Sequence, residues 1–254
     1  MLLIVEFYSA LVFSQARPVR DMSPTRIPLN AVPRIKVCGV RHLADLDALA
    51  SAGVDSVGFN LVPHSPRYVE PARAAELSAR AAELGLLRVA VVMDLAPDQL
   101  HELLAQVDID WVQLHGREPP ALADACGGLP ILKVTSWTGR PEESALVSAW
   151  SQLASVGQPR AWLVDAYAPN AGGGTGEVAR WELLRPRPAV FGNLPLILAG
   201  GLVPNNVAKA IAASAADGVD TASGVELAPG LKSPSLVREF AEEASRALSQ
   251  RSGS

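Results

Sequence analysis

The sequence predicts an α/β fold, a single (βα)8 TIM barrel. The chain has 254 residues, which suits one barrel domain of about 200–250 residues. From Arg34 onward, short apolar runs rich in β-branched residues alternate with alanine- and leucine-rich stretches, and no linker marks a second domain. Continuous apolar strands separated by helices are typical of a parallel sheet covered by helices. An open doubly wound sheet is the alternative, although it usually has fewer strands.

The apolar runs are short and end at turn-forming residues, as buried parallel strands do. The predicted strands are Arg34–Cys38, Ser56–Phe59, Arg88–Met93, Trp111–Leu114, Ile131–Val134, Ala161–Val164, Leu196–Ala199 and Val219–Ala222.

The segments between the strands have helical composition. Glycine stands where helices should end, as at Gly53 and Gly85, and proline stands near helix starts, as at Pro71 and Pro97. The predicted helices are Leu43–Ser51, Ala72–Leu84, Pro97–Gln106, Pro119–Cys126, Glu142–Leu153, Val178–Leu184, Asn205–Ser214 and Ser235–Leu248. The similar tetrapeptides Gly53–Ser56 and Gly218–Thr221 are consistent with repeated βα units.

Composition limits the partners of this protein. Hydrophobic residues make up 49% of the chain, enough for a full core. The formal net charge of −4 argues against a nucleic-acid partner or an anionic membrane surface. It leaves room for a small phosphorylated ligand, which responds to local charges and backbone amides.

The two cysteines, Cys38 and Cys126, are isolated in the sequence, which argues against a zinc site or a disulfide framework. Isolated thiols fit a reducing, cytoplasmic compartment. The histidines show no metal-ligand spacing, so we expect neither a metal nor another cofactor.

The first part of the chain differs from the rest in composition. Residues 1–33 begin with an interrupted apolar run and continue into a proline- and arginine-rich stretch without periodicity. We expect a poorly ordered extension or an over-long gene start, with Met22 as an alternative start. A secretory signal is the other interpretation, although the only early charge is Glu6. Residues 34–250 are predicted to form the catalytic barrel.

In a barrel of this type, chemistry takes place at the carboxyl ends of the strands and in the loops that follow. Three glycine clusters follow the last three predicted strands. They bring backbone N–H groups to one side of the barrel mouth, where glycine allows a close approach to an anion. These clusters predict a phosphate site, with tight turns as the plainer alternative; their residues are Gly173, Gly174, Thr175, Gly176, Gly200, Gly201, Ser223 and Gly224.

Three further side chains belong to the predicted mouth. Asp165 ends a very apolar strand, where partial burial would favour the protonated carboxyl group and suit a general acid. Cys38 ends the first strand, and Lys36, two residues earlier, should share its face of the strand. A thiol acts as a base only in a positive neighbourhood, and Cys38 is otherwise a small core residue. Arg67, after the second strand, has the fork needed to bind a carboxylate.

In order along the chain from Arg34 to Leu248, the motifs KVCG, GF…SPRYV, QLHG, D…GGTG…W, LAGGL.P.NV and D.ASGVE..PG.K resemble the phosphoribosylanthranilate isomerase family of tryptophan biosynthesis. The resemblance implies an Amadori rearrangement of N-(5-phosphoribosyl)anthranilate by a monomer or homodimer. It further implies Cys38 as general base, Asp165 as general acid and Arg67 near the anthranilate carboxylate.

Two other functions remain open at this point. A related isomerase of histidine biosynthesis performs the same rearrangement on a larger substrate with two phosphates, and it uses aspartate where Cys38 stands. A barrel that binds a phosphorylated ligand without turnover is the second alternative. Cys38 and the motif SPRY favour the anthranilate substrate over the first alternative, and the presence of both Cys38 and Asp165 argues against the second.

Overall fold

Eight parallel strands close into a barrel in sequence order, with the eighth strand hydrogen-bonded to the first. The structure is a computed structural model that describes residues 31–154, 157–165 and 180–251. The strands are β1 (Ile35–Cys38), β2 (Ser56–Asn60), β3 (Leu87–Val92), β4 (Trp111–Leu114), β5 (Ile131–Ser136), β6 (Ala161–Asp165), β7 (Leu196–Ala199) and β8 (Gly218–Thr221). The predicted barrel is confirmed, and the predicted strand ends differ by two residues at most.

Helices follow most strands and cover the outside of the barrel. The α-helices are α1 (Leu43–Ser51), α2 (Pro71–Glu83), α3 (Pro97–Gln106), α4 (Pro141–Ser151), α5 (Val207–Ser214) and α6 (Pro234–Arg251). A short antiparallel hairpin, β9 (Glu226–Ala228) and β10 (Leu231–Lys232), which the sequence did not predict, lies in the loop after β8.

Two predicted helices differ in type. Pro120–Cys126 forms a 3-10 helix of seven residues, which Gly127 ends in the left-handed region at φ 61°. In place of the helix predicted over Val178–Leu184, the described residues form a 3-10 turn, Trp181–Leu184, and residues 178–179 lie outside them. Prolines at 186 and 188 keep this turn from continuing.

The apolar residues form two separate clusters. The larger one fills the space between the outer face of the strands and the helices, and includes Phe59, Trp162 and Phe240. The smaller one fills the barrel interior from β3 to β7, with Trp111 and Leu163 among its members. Across β8, β1 and β2 the interior is polar instead.

Aspartates just before three even-numbered strands bind backbone N–H groups at the start of the preceding strand. Asp55 accepts from Ile35 at 2.9 Å, Asp110 from Arg88 at 3.0 Å and Asp217 from Leu196 at 2.9 Å. The similar tetrapeptides Gly53–Ser56 and Gly218–Thr221 do not have equivalent places in the barrel. Asp55 has the position of Asp217, whereas Asp220 lies inside β8.

The predicted N-terminal extension falls mostly outside the described residues, which begin at residue 31. Ala31 and Val32 pack against the interior apolar cluster. The boundary at residues 33–34 stays a prediction. Of the helices in the described ranges, none combines the length and apolar character needed to cross a bilayer.

Candidate active site

Cys38 is the last residue of β1, at the carboxyl end of the barrel, as predicted. Its side chain shares the interior face with Lys36, since strand residues two apart point the same way. A Cβ atom on Gly58 of β2 would lie 2.9 Å from Sγ of Cys38 and 3.1 Å from Nζ of Lys36. Both groups thus border the same point, and the predicted positive neighbour of Cys38 is in place.

Gly58 is a glycine because the interior leaves no room for a side chain there. Cys38 and Gly58 pair directly across β1 and β2. A glycine within a strand often marks such a close approach. Any larger residue at position 58 would displace the thiol or the ammonium group.

Lys36 is fully buried and pairs with Asp220 of β8, whose Oδ1 lies 2.9 Å from Nζ. Burial alone would lower the pKa of Lys36, but the ion pair with Asp220 raises it above its ordinary value. Lys36 therefore stays an ammonium ion beside the thiol.

The thiol of Cys38 responds to several opposing influences. Burial raises its pKa above the ordinary value, Asp220 adds to that rise, and Lys36 and Lys232 oppose it. The resting side chain is a neutral thiol, and the two lysines supply the positive field that a thiolate at this position requires.

Lys232 and Arg67 approach Cys38 from the loops. Nζ of Lys232 donates to the Cys38 carbonyl at 2.6 Å and to Glu226 at 2.7 Å. Arg67 lies over Gly39, where a Cβ atom would come within 2.4 Å of its Cδ, and Gly39 has φ +75°. The Arg67 guanidinium also binds Glu226. Arg67 is therefore at the mouth as predicted, with one edge of its fork already occupied.

Asp165 ends β6, three strands from β1 around the barrel, and it is partly exposed. Near it lies His115, whose Nδ1 is 2.8 Å from Nε2 of Gln113. Burial lowers the pKa of His115, and Asp165 acts in the opposite direction. The structure thus brings a carboxyl group, a neutral imidazole and a thiol to one end of the barrel.

The described part of the predicted phosphate site lies at the ends of β7 and β8. Gly200 and Gly201 have φ values of 90° and 65°. The 3-10 turn that begins with Ser223 and Gly224 packs against the loop after β7, since a Cβ atom on Gly224 would lie 1.8 Å from the Leu202 carbonyl oxygen. The third cluster, Gly173, Gly174, Thr175 and Gly176, lies outside the described residues.

Three residues of this site were not singled out from the sequence: Asp220, Glu226 and Lys232. All three residues belong to the motif D.ASGVE..PG.K, which the sequence analysis used for the family resemblance without giving these residues a role. A charged residue inside the short β8 strand was a second signal, because a buried charge needs a partner.

Comparison with known proteins places the whole described barrel in one family. The family model described as N-(5'-phosphoribosyl)anthranilate (PRA) isomerase matches residues 35–243. The N-(5'-phosphoribosyl)anthranilate isomerase of Myxococcus xanthus is 41% identical over 213 residues, which cover 83% of this chain and 95% of the relative. The protein of the same name from Paracoccus denitrificans is 38% identical, covering 81% of this chain and 94% of the relative.

Solved structures agree with these sequence relatives. The phosphoribosyl anthranilate isomerase of Thermotoga maritima has a TM-score of 0.73 and 29% identity, covering 85% of this chain and 100% of that protein. A phosphoribosyl anthranilate isomerase solved in complex with reduced 1-(o-carboxyphenylamino)-1-deoxyribulose 5-phosphate has a TM-score of 0.70 and 28% identity, with the same coverage. A further structure describes monomers made from the dimeric Thermotoga maritima protein, with a TM-score of 0.69 and 28% identity over 85% of this chain and 100% of that protein.

Proposed function

This chain belongs to the N-(5'-phosphoribosyl)anthranilate isomerase family, and we propose that Cys38 and Asp165 carry out its reaction as general base and general acid. The reaction converts N-(5-phosphoribosyl)anthranilate into 1-(2-carboxyphenylamino)-1-deoxyribulose 5-phosphate. The single observation that carries the assignment of roles is the thiol of Cys38 beside the Lys36 ammonium group, at the same end of the barrel as Asp165.

The steps follow from the positions of the two groups. Asp165 donates a proton to the ring oxygen of the ribose, and the ring opens to a Schiff base. The imine makes the proton on C2 acidic, and the Cys38 thiolate removes it. The enolamine that results tautomerises to the ketone. The protein's task is to hold an acid and a base at fixed places along one carbon chain.

The thiolate form of Cys38 depends on the charges around it. A neutral thiol is a poor base, and burial favours that form. The ammonium group of Lys36 stabilises the thiolate by direct attraction, and Asp220 keeps Lys36 charged in its buried position.

Binding groups flank this pair. The turns at Gly200, Gly201, Ser223 and Gly224 are the proposed donors of backbone N–H groups to the substrate phosphate. Gly173, Gly174, Thr175 and Gly176, which lie outside the described residues, are proposed for the same site from the sequence. Arg67, close to Cys38, is the proposed partner of the anthranilate carboxylate.

A coupled assay tests the proposal. Anthranilate, phosphoribosyl pyrophosphate and the corresponding transferase generate the unstable substrate in place, and the loss of its fluorescence is followed. Cys38→Ser and Asp165→Asn should each lower kcat by about 100- to 10,000-fold. Cys126→Ser is the matched control, because Cys126 is a buried thiol that donates to the Leu122 carbonyl.

The outcomes separate the function from the roles. No turnover by folded wild-type protein would contradict the function and favour the histidine-pathway substrate or a binding role. Full turnover by both variants would keep the function and remove the proposed acid–base pair. We also propose that the substrate is phosphorylated, that the protein is a monomer or a homodimer, and that it is located in the cytoplasm. Sedimentation of the purified protein tests the oligomeric state.

A further inference from the structure

Glu226 has an unusual place at the barrel mouth. It begins β9 in the loop after β8, where side chains commonly reach solvent, yet its side chain is 4% exposed. Oε1 accepts from Nε of Arg67 at 2.9 Å, from Nζ of Lys232 at 2.7 Å and from the backbone of Gly230 at 3.1 Å. Oε2 accepts from Nη2 of Arg67 at 2.7 Å. One carboxylate therefore joins Arg67 to Lys232.

The geometry of the Arg67 fork follows from this contact. A guanidinium group has two edges that present parallel N–H groups, and each edge matches a carboxylate. Glu226 takes the edge formed by Nε and Nη2. The other edge, formed by Nη1 and the second N–H of Nη2, has no hydrogen bond to the residues that the structure describes. The Arg67 side chain is 20% exposed, so this group still reaches the mouth.

The same contact fixes Arg67 relative to the thiol. The stem of Arg67 lies on Gly39, the residue after Cys38. Lys232, the second partner of Glu226, donates to the Cys38 carbonyl oxygen at 2.6 Å. Glu226 is thus linked to the backbone at the end of β1 in two ways: through Arg67, which lies on Gly39, and through Lys232, which binds the Cys38 carbonyl.

We propose that Glu226 is a positioning residue that determines carboxylate specificity: it holds the inner edge of Arg67 so that the outer edge meets the aryl carboxylate of the substrate. This inference rests on the proposed function, in which Arg67 binds that carboxylate. Without Glu226, the guanidinium can rotate about the Arg67 stem, and its second edge no longer has a fixed direction.

Binding of two product analogues tests this role. The first is the reduced product with its aryl carboxylate, and the second is the same compound made from aniline, which lacks the carboxylate. Titration calorimetry gives both Kd values, and their ratio measures the selectivity for the carboxylate. Glu226→Gln should reduce this ratio by about tenfold or more, the usual effect of losing a charged hydrogen bond. A loss of packing alone would weaken both analogues and leave the ratio intact.

Two further variants make the test specific. Glu70→Gln is the matched control, since Glu70 lies in the same loop as Arg67 and contacts Tyr68, and it should keep the wild-type ratio. In an Arg67→Lys background, which has no fork, Glu226→Gln should lower the ratio little further. If Glu226→Gln does not fold, Glu226→Asp replaces it, because the shorter side chain cannot reach both Arg67 and Lys232.

The results distinguish this inference from the function on which it rests. A wild-type protein that binds the analogues equally well would remove the carboxylate role of Arg67 and the inference with it. A wild-type preference that Glu226→Gln retains in full would overturn the role of Glu226 and leave the proposed function standing. A ratio that falls in Glu226→Gln and stays constant in Glu70→Gln would support the inference.

Discussion

Lys36 and Lys133 are both fully buried lysines on barrel strands, and each binds a carboxylate, but they lie on opposite faces of the sheet. Lys36 points into the barrel and meets Asp220 beside the thiol. Lys133 points outward from β5, over the ring of Trp150 at 5.7 Å, and meets Glu118 at 2.7 Å. The two pairs use the same chemical groups in different surroundings.

The difference lies in what surrounds each ammonium group. Nζ of Lys133 donates to two backbone carbonyls, of Leu114 and Gly116, as well as to Glu118, which uses all three of its hydrogens. Burial lowers the pKa of Lys133 and Glu118 opposes this, while the three acceptors require the charged form. This pair ties the loop after β4 to β5. Lys36 has one oxygen acceptor among the described residues, Asp220, and its other polar neighbour is Cys38. Lys133, whose hydrogens are all donated to backbone carbonyls and Glu118, stabilises the fold. Lys36, which lies next to the Cys38 thiol, changes the pKa of that thiol.

The largest expected effect is a difference in kcat/KM between variants of the two lysines. Lys36→Met should lower kcat/KM at pH 7 by about 100-fold or more, because the Cys38 thiolate loses its main counter-charge. Lys133→Met should lower it less than tenfold, although each variant leaves a buried carboxylate unpaired and loses about 3–5 kcal/mol of stability. Steady-state kinetics is measured at a temperature where denaturation curves show both variants folded.

A second variant separates the effect on activity from the loss of stability. The double change Lys36→Met with Asp220→Asn removes both charges, and should restore part of the stability without restoring activity. Equal loss of kcat/KM in Lys36→Met and Lys133→Met, at equal folded fractions, would show that the comparison between the pairs is wrong.

A smaller effect concerns the pH dependence of the reaction. We expect kcat/KM to rise with pH as the thiol ionises, since burial places the pKa of Cys38 above its ordinary value. Lys36→Met should move the rising limb of the pH profile to higher pH. Asp220→Asn removes a negative charge that raises the pKa of Cys38, but it also removes the partner that keeps Lys36 charged, so its limb should lie at lower pH than that of Lys36→Met. The apparent pKa belongs to the coupled Cys38 and Lys36 groups, so the direction of each shift is the prediction.

The matched control for this shift is Glu118→Gln, which neutralises the carboxylate of the other buried pair. It should leave the limb of the pH profile where it is in the wild type. A limb that lies at higher pH in Asp220→Asn than in Lys36→Met would contradict the assigned charges around Cys38.

The sequence was most informative where a local pattern decides the structure. Apolar runs located all eight strands, and the alternation of side chains placed Lys36 on the face of Cys38. The helix predicted over Pro119–Cys126 was wrong in type, because helical composition does not distinguish a 3-10 helix from an α-helix over so short a segment. The hairpin β9–β10 was missed because its strands have three and two residues.

Partners far apart in the chain were beyond such patterns. Lys36 and Asp220 are 184 positions apart, and Lys232 is 194 positions from Cys38. Periodicity shows that each residue faces inward or lies in a loop, and the predicted barrel places β8 beside β1. Neither says which residues of the two strands meet, and the register of β8 on β1 decides these contacts. Without that register, the sequence names the thiol and leaves its charge environment open.

The smallest expected effect concerns the outer pair and the stability of the fold in acid. Burial would raise the pKa of Glu118, but Lys133 and the Asp94 backbone N–H outweigh it and lower this pKa below its ordinary value of 4.5. A carboxyl group with a depressed folded-state pKa contributes stability above its unfolded-state pKa, and this contribution is lost as pH falls through the folded-state value. The free energy of unfolding of the wild type should therefore exceed that of Glu118→Gln near pH 7, and the gap should narrow as the pH falls below about 4.5. Urea denaturation between about pH 3 and pH 7 measures both curves, with Glu102→Gln on the exposed surface of α3 as the control. If the free energies of unfolding of wild type and Glu118→Gln differ by the same amount at every pH in this range, the ion pair of Lys133 and Glu118 does not stabilise the fold as its hydrogen bonds indicate.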